Sequence, residues 1–503
     1  MTHDGRRPVS LIVTGGHVLT LNAADPEYPD GAIAIDGDSI VGVGTRTGIE
    51  AAFVAREVID ATGTVIMPGL VDAYAHAGHG MVRGLWHPVG GAVGDLYFTG
   101  TTPDWWRADA DLAALERLKA GVTTGQSVIG ATPARSDDPV FADVTAQAYA
   151  SAGLRLSLAV GPPDPVFPHL PEPFTGTHPV AGRLEPRVFT ASQALAHSID
   201  VISRWNGAAE GRIQAMLHPP YLFGRHVVHR RTPQRLPDAA DAPMILAHAR
   251  DMRRVADDLG VAIHTHMFAG SVAYMLAHFG RAEVDRLLDG PLVVAHANGL
   301  SDEEVAVLGA SGAGIATVAF THENLWYGVA PIRALRGAGC AVAIATDGAA
   351  TYASYDLWRE PARAAWNQWG AEGTQRIMPP ETLIGMMTIE AAAVLGQAER
   401  IGSLEVGKKA DLICVDLRQP HIGAVHDLAQ TLVLYATASD VRDVVVDGRI
   451  LMRNRQALLV DEAEILSRAR HESQAALARR NLDPIRRTDA WTRPGVWPRG
   501  IGC

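Results

Sequence analysis

Cysteine is scarce in this chain, and long basic runs and long apolar runs are missing from it. Its three cysteines, Cys340, Cys414 and Cys503, include no C-x-x-C pair. Few, scattered and odd in number, they argue against a disulfide framework and against a thiolate zinc site. The formal net charge is −11 over 503 residues, and no stretch concentrates lysine and arginine. Nonspecific nucleic-acid binding needs a positive face, so it is not expected. No apolar run is long enough to span a bilayer. The N-terminal MTHDGRRPVSLIVTGG has a basic pair but only a very short apolar run before its glycines, which makes a poor signal peptide. The expectation is a cytoplasmic protein that binds neither nucleic acid nor membrane.

What is present is ordinary in amount, with 47% apolar and 20% charged residues, as in a soluble globular protein. The length implies roughly two or three domains. The twenty histidines stand out. Several lie in or just after apolar strand-like runs, where a polar group without a partner is expensive.

Residues 9–66 read as short antiparallel strands with Gly and Asp punctuation, and KADLICVDL and VRDVVVDGRILMRNRQ repeat that texture late in the chain. Asp447–Gly448 is a hairpin signal. The two ends are expected to pair into a small β-sandwich, 1–66 with 402–455. Between them, GVTTGQSVI, GLRLSLAVG, GRIQAMLHP, GVAIHTHMF, PLVVAHANG, GAGIATVAF and CAVAIATDG alternate with helical patterns. One helix opens on a capping box, Ser301 with Glu304. With the run around VIMPGLVDA, about eight strands predict a (β/α)8 TIM barrel over 67–401. Residues 456–503 read as a helix and an arm, packed on the barrel or on a neighbouring subunit. Residues 86–105 and 161–190 read as long loops, with Trp105 and Trp106 packed in the first.

Chemistry in such a barrel sits at the C-terminal strand ends. His76, His218, His266, His296 and Asp347 close five of the runs. A lone histidine there is usually a packed residue; five polar groups at five strand ends form a pattern. Histidines with a carboxylate suit zinc or iron.

The motifs resemble those of the amidohydrolase superfamily, in the branch of cytosine and guanine deaminases and triazine hydrolases. PGLVDAYAH resembles its strand-1 motif P-G-[LF]-[VI]-[DN]-x-H-x-H. LHPPY, IHTHMFAG, AHANGLSDEE and ATDGA resemble the motifs after strands 4, 5, 6 and 8, and GSLEVGKKADLICVD its closing signature. The resemblance implies His76, His266 and Asp347 as ligands of one divalent metal, zinc or else iron, manganese or cobalt. It implies Asp347 as general base, His296 as the group polarising the scissile bond, and His218 at the substrate. Such a metal makes hydroxide available near neutral pH, and a carboxylate accepts the water's proton. His264 falls one layer below His266 on the same strand face.

Three positions depart. Tyr74 replaces the first histidine of H-x-H, and Ala269 the glutamate of H-x-x-E. Thr321–His322 stand where the family has Ser-Asn. Tyr74 is a fourth donor as phenolate or a substrate contact; His79 is a substitute ligand, a substrate contact or a solvated loop residue. His322, Glu323 and His79 are the candidates to replace the missing acid. Arg83 touches substrate or forms a loop salt bridge, and Trp326 and Tyr327 could line a pocket for a flat ring.

The resulting expectation is a metal-dependent hydrolase of a non-peptide C–N bond on a small nitrogen heterocycle, as a homodimer or homotetramer. The alternative is a metal-depleted relative that binds a small molecule or runs metal-free chemistry.

Overall fold

A computed structural model gives the fold and describes residues 5–85, 96–97, 99–129, 135–164, 173–180, 183–226, 236–320, 328–350, 354–373 and 378–480. Eight parallel strands form the centre: β1 (Leu70–Asp72), β2 (Val122–Val128), β3 (Arg155–Val160), β4 (Ile213–Leu217), β5 (Ile263–Phe268), β6 (Leu292–Asn298), β7 (Gly314–Thr317) and β8 (Val342–Ile344). Each pairs with its neighbour in chain order. A parallel bridge between Ala75 and Asp347 joins the end of β8 to the end of β1. This is a (β/α)8 TIM barrel with an additional sheet.

The strands read as near-continuous apolar runs because both faces are covered. All residues of β2, β3, β5 and β6 are buried. Small side chains such as Ala73, Ala159, Ala295, Ala316 and Ala343 belong to the inner core cluster, with Tyr74 among them. Helices cover the outside. The helix Asp302–Ser311 starts at the capping box seen in the sequence, with both reciprocal bonds between Ser301 and Glu304 present.

The flanking sheet has nine strands and draws on both ends of the chain. Its seam is antiparallel, Thr64–Pro68 against Leu412–Asp416. The N-terminal part of the sheet therefore runs to Pro68, two residues past the expected boundary. At the other end Gln456–Ala457 adds a last short strand. The buried Arg155 of β3 ties barrel to sheet through Asp411, at 2.6 Å, and through Asp447.

Two expected loops contain more structure than the sequence pattern implied. Pro103–Lys119 is a helix capped by the Thr102 side chain, so Trp105 and Trp106 are buried in its first turn rather than in a loop. Proline at the first helical position has no amide to waste, which is why P-D-W-W starts a helix. Within 161–190, Phe174–Val180 and Arg183–Phe189 pair as an antiparallel hairpin. The helix Glu462–Arg479 packs on Pro103–Lys119 through Arg468–Asp111 and Lys119–Glu462, at 2.6 and 2.8 Å. Among the described residues no helix is long and apolar enough to cross a membrane.

Candidate active site

The expected site residues converge at the C-terminal ends of β1, β4, β5, β6 and β8. Backbone placement comes first. Asp347 follows β8 with φ +57°, and His296 near the end of β6 has φ +72°. Left-handed backbone at non-glycine residues is uncommon, and such strain collects at functional sites. At β6 the pairing with β5 skips Ala297, so Met267 faces His296 while Phe268 faces Asn298. This irregularity sets the direction of His296 at the strand end.

A buried carboxylate holds β8 to β1. Asp72 accepts from Thr346 N at 3.0 Å, Thr346 Oγ1 at 2.7 Å and Arg117 Nη2 at 3.1 Å. Thr346 directly precedes Asp347, so this pair fixes where the Asp347 carboxylate begins. The Tyr355 hydroxyl donates to the His76 carbonyl at 2.7 Å. Asp109, on the helix after β1, accepts the Gly78 and Met81 amides at 2.9 Å each, which shapes the loop carrying His79. Burial first, against these amides and Arg83, pushes the Asp109 carboxyl up to about 6.

At the centre stands Tyr74, 1% exposed. Its Oη lies 2.8 Å from His76 Nε2 and 2.8 Å from His266 Nε2. His266 Nδ1 is 2.8 Å from the Pro220 carbonyl, which only accepts, so Nδ1 carries the proton. Burial first, and then the neighbouring imidazoles, hold His266 neutral, well below the usual histidine range. Its Nε2 is then bare and accepts the Tyr74 hydroxyl proton. His76 Nε2 stands between two acceptors, Tyr74 Oη and Asp347 Oδ1 at 3.2 Å, and its single proton serves both. His76 Nδ1 is buried without a hydrogen-bond partner among the described residues. The result is a chain of donors from His76 through Tyr74 and His266 to the Pro220 carbonyl, with the Asp347 carboxylate as a second acceptor beside His76.

The other imidazoles surround this chain. His296 Nε2 is 4.0 Å from Asp347 Oδ2. Burial lowers His296 to about 4, against the opposing pull of Asp347. Asp347 itself is buried, which raises it, but the His76 hydrogen bond and the imidazoles His296, His76 and His266 outweigh this and hold it ionised well below its ordinary value. His264 lies beneath, its ring stacked on Tyr74 at 5.2 Å. His218 Nδ1 donates to the His264 carbonyl at 2.9 Å, leaving Nε2 buried and without a partner among the described residues. Burial pushes His218 down to about 3.

His79 stacks on His76 with ring centres 4.8 Å apart and nearly parallel planes. A Cβ at Gly348 would meet the His79 ring at 2.6 Å, so the glycine of ATDG is what lets this ring in. Arg83 forms an ion pair with Glu116 at 2.5 Å and lies over the Tyr355 ring, the loop salt bridge rather than a free substrate contact. Ala269 N donates to the Asn298 carbonyl at 2.9 Å. The Glu304 carboxylate caps the following turn, accepting from Gly270 and Val272 at 2.9 and 3.2 Å. His322, Glu323, Trp326 and Tyr327 lie outside the described residues.

The model of the amidohydrolase family matches residues 65–451. The chain belongs to the amidohydrolase family. It is accordingly a hydrolase of carbon–nitrogen bonds other than peptide bonds. It is 32% identical over 459 residues to a 5-methylthioadenosine/S-adenosylhomocysteine deaminase of Moorella thermoacetica, covering 88% of this chain and 94% of that protein. It is 28% identical over 482 residues to a 5'-deoxyadenosine deaminase of Methanosarcina acetivorans, covering 94% and 99%. Among solved structures it resembles an adenosine deaminase from Xanthomonas campestris with bound zinc, with TM-score 0.77, 23% identity and 94% and 100% coverage. It also resembles an atrazine chlorohydrolase from Arthrobacter aurescens complexed with zinc, with TM-score 0.71, 24% identity and 92% and 100% coverage. At those identities the two structures speak to the fold.

Do the residues here fit a metal ion? Among the described residues, no group of three or more His, Cys, Asp and Glu gathers closely enough to hold one. His76 meets Asp347 directly at 3.2 Å, while His76 and His266 are linked through the Tyr74 oxygen. The Tyr74 hydroxyl fills the space between the two imidazole nitrogens, so an ion there needs it to give up those hydrogen bonds. The fit depends on Tyr74.

Proposed function

We propose that this protein uses a divalent metal and water to hydrolyse a C–N bond on a small nitrogen heterocycle related to adenine nucleosides. The observation that carries the reading is the placement of the Asp347 carboxylate at the strand ends, with His76 Nε2 3.2 Å from one oxygen and His296 Nε2 4.0 Å from the other. The two deaminases named above, at 28–32% identity and near full-length coverage, supply the substrate class.

His76, His266 and Asp347 are the residues that would hold the ion once the Tyr74 hydroxyl gives up its bonds to the two imidazoles, zinc being the first choice for such nitrogen and oxygen donors. When bound, it acts as a Lewis acid that makes water a nucleophile near neutral pH. Asp347, kept ionised, accepts the proton of the attacking water. His296, neutral through the physiological range, offers a ring nitrogen to the reacting carbon's substituent. The bare Nε2 of His218 accepts a hydrogen bond from a substrate N–H. Burial of all these groups excludes bulk water and strengthens their mutual electrostatics.

Position 269 is alanine, so a proton for the substrate nitrogen comes from elsewhere; His322, Glu323 and His79 are the proposed donors. Loss of a positioned acid costs about 10²–10⁴-fold in rate. Among such C–N substrates, one with a better leaving nitrogen loses less from the missing acid.

The hydrogen-bonded Tyr74 favours a second reading, heterocycle binding without hydrolysis. One experiment separates them. Adenosine-like and triazine-like heterocycles are screened for both binding and release of the exocyclic group. Turnover that Asp347→Asn abolishes supports the hydrolase. Binding without turnover, unchanged in Asp347→Asn, supports the second reading.

A further inference from the structure

We propose that Tyr355 is a positioning residue for the reaction: its hydroxyl, bonded to the His76 carbonyl, sets how the His76 ring meets the Asp347 carboxylate. This rests on the reading above in which Asp347 drives hydrolysis.

His76 Nε2 stands 3.2 Å from Asp347 Oδ1, and something must set that contact. A site imidazole is usually oriented by the hydrogen bond of its other ring nitrogen. His76 has no such hold, since its Nδ1 is buried without a hydrogen-bond partner among the described residues. What holds His76 is its backbone. Its amide donates to the Asp347 carbonyl at 3.4 Å, which is long for a hydrogen bond. Its carbonyl accepts the Tyr355 hydroxyl at 2.7 Å, and among the described residues no amide is bonded to that carbonyl. Tyr355 follows Asp347 by eight positions in the chain. Both backbone groups of His76 are thus tied to the segment after β8, and the shorter tie is Tyr355.

Tyr355 is itself held at three points. It is 1% exposed. Its amide donates to Glu116 at 3.0 Å, and the same carboxylate pairs with Arg83. Two guanidinium groups lie over its ring, Arg117 at 4.6 Å and Arg83 at 5.5 Å from the ring centre. Arg117 in turn bonds Asp72, the acceptor of Thr346. Burial first, and then Asp109, keep the Tyr355 hydroxyl protonated against the pull of the two arginines, so it donates. Packing alone needs only the ring. The hydroxyl aimed at the carbonyl of a site histidine is what a positioning role adds.

Without that hydroxyl the buried His76 carbonyl loses its donor and the end of β1 is free to turn. The His76 ring turns with it, away from Asp347 and out of its stack on His79. A displacement of about 1 Å costs up to about 10²-fold where the rate depends on geometry.

The test compares full-length wild type, Tyr355→Phe and Asp347→Asn on the adenosine-like or triazine-like heterocycle that wild type turns over fastest, with activity counted per folded molecule. Phenylalanine keeps the ring under the two arginines and so guards against misfolding. Tyr355→Phe should lower kcat by on the order of 10–100-fold and leave KM within about twofold. Crystal structures of wild type and Tyr355→Phe should show the His76–Asp347 contact lengthened in the variant. With Asp347→Asn inactive, a Tyr355→Phe kcat equal to wild type overturns the proposal and leaves the hydrolase reading intact. A raised KM at unchanged kcat also overturns it, because Tyr355 is then a substrate contact. So does a fallen kcat with the His76–Asp347 contact unmoved. No turnover by wild type overturns the hydrolase reading, and the proposal with it.

Discussion

Asp72→Asn is the sharpest perturbation of the barrel that holds the site. The substitution keeps shape and removes charge. Asp72 and Arg117 are both fully buried, at 0% exposure each. The carboxylate accepts three hydrogen bonds, from Thr346 N, Thr346 Oγ1 and Arg117 Nη2. An asparagine offers one oxygen and turns an NH2 group toward one of those donors. Arg117 keeps Ser127 at 3.2 Å, the Gln126 carbonyl at 2.7 Å and the Tyr355 ring at 4.6 Å, but its charge loses its counterion. Breaking a buried pair on one side costs about 3–5 kcal/mol. Burial raises the Asp72 carboxyl despite Arg117 and Thr346, so removing that charge returns a little, and the lower end, about 3 kcal/mol, is expected. Urea unfolding followed by tryptophan fluorescence reads this directly, since Trp105 and Trp106 are buried in the adjoining helix. Because Thr346 sets the start of Asp347, turnover should fall as well. A loss below about 1 kcal/mol with unchanged turnover would refute the claim that this pair holds the site together.

Other outcomes follow from the same geometry. Gly348→Ala places a methyl 2.6 Å from the His79 ring, so it should cost about 1–3 kcal/mol and shift KM through the displaced loop; an unchanged KM speaks against His79 at the substrate. Burial lowers His248 to about 4 and His218 to about 3. The unfolded chain takes up protons there from about pH 6.5 downward and the folded chain does not, so stability should fall with pH below 6.5, by up to about 1.4 kcal/mol per unit per ring. A urea midpoint that stays level from pH 7 to 5 contradicts this. Asp109→Ala leaves the Gly78 and Met81 amides without their acceptor and should cost roughly 1–3 kcal/mol, checked by thermal unfolding.

The barrel and the strand-end groups were legible because their signals are local. His266, His296 and Asp347 each close a short apolar run, and the period of two already put His264 beneath His266. The supports were not legible. Asp72 meets Thr346 across 274 positions, and Tyr355 meets the His76 carbonyl across 279. No spacing rule reaches that far. The hairpin Phe174–Phe189 was hidden by Pro179 and Pro186, which a two-stranded edge tolerates and a central strand does not. Tyr74 was visible as a departure, but its place between two ring nitrogens follows only from how β1 and β5 are set around the barrel.

The central claim is that Asp347 drives hydrolysis at this strand-end cluster. Release of the exocyclic group from adenosine-like and triazine-like heterocycles, by wild type and by Asp347→Asn of equal thermal stability, tests it most directly. The account predicts turnover by wild type and a loss on the order of 10²–10⁴-fold in Asp347→Asn. Equal turnover in the two proteins would contradict it.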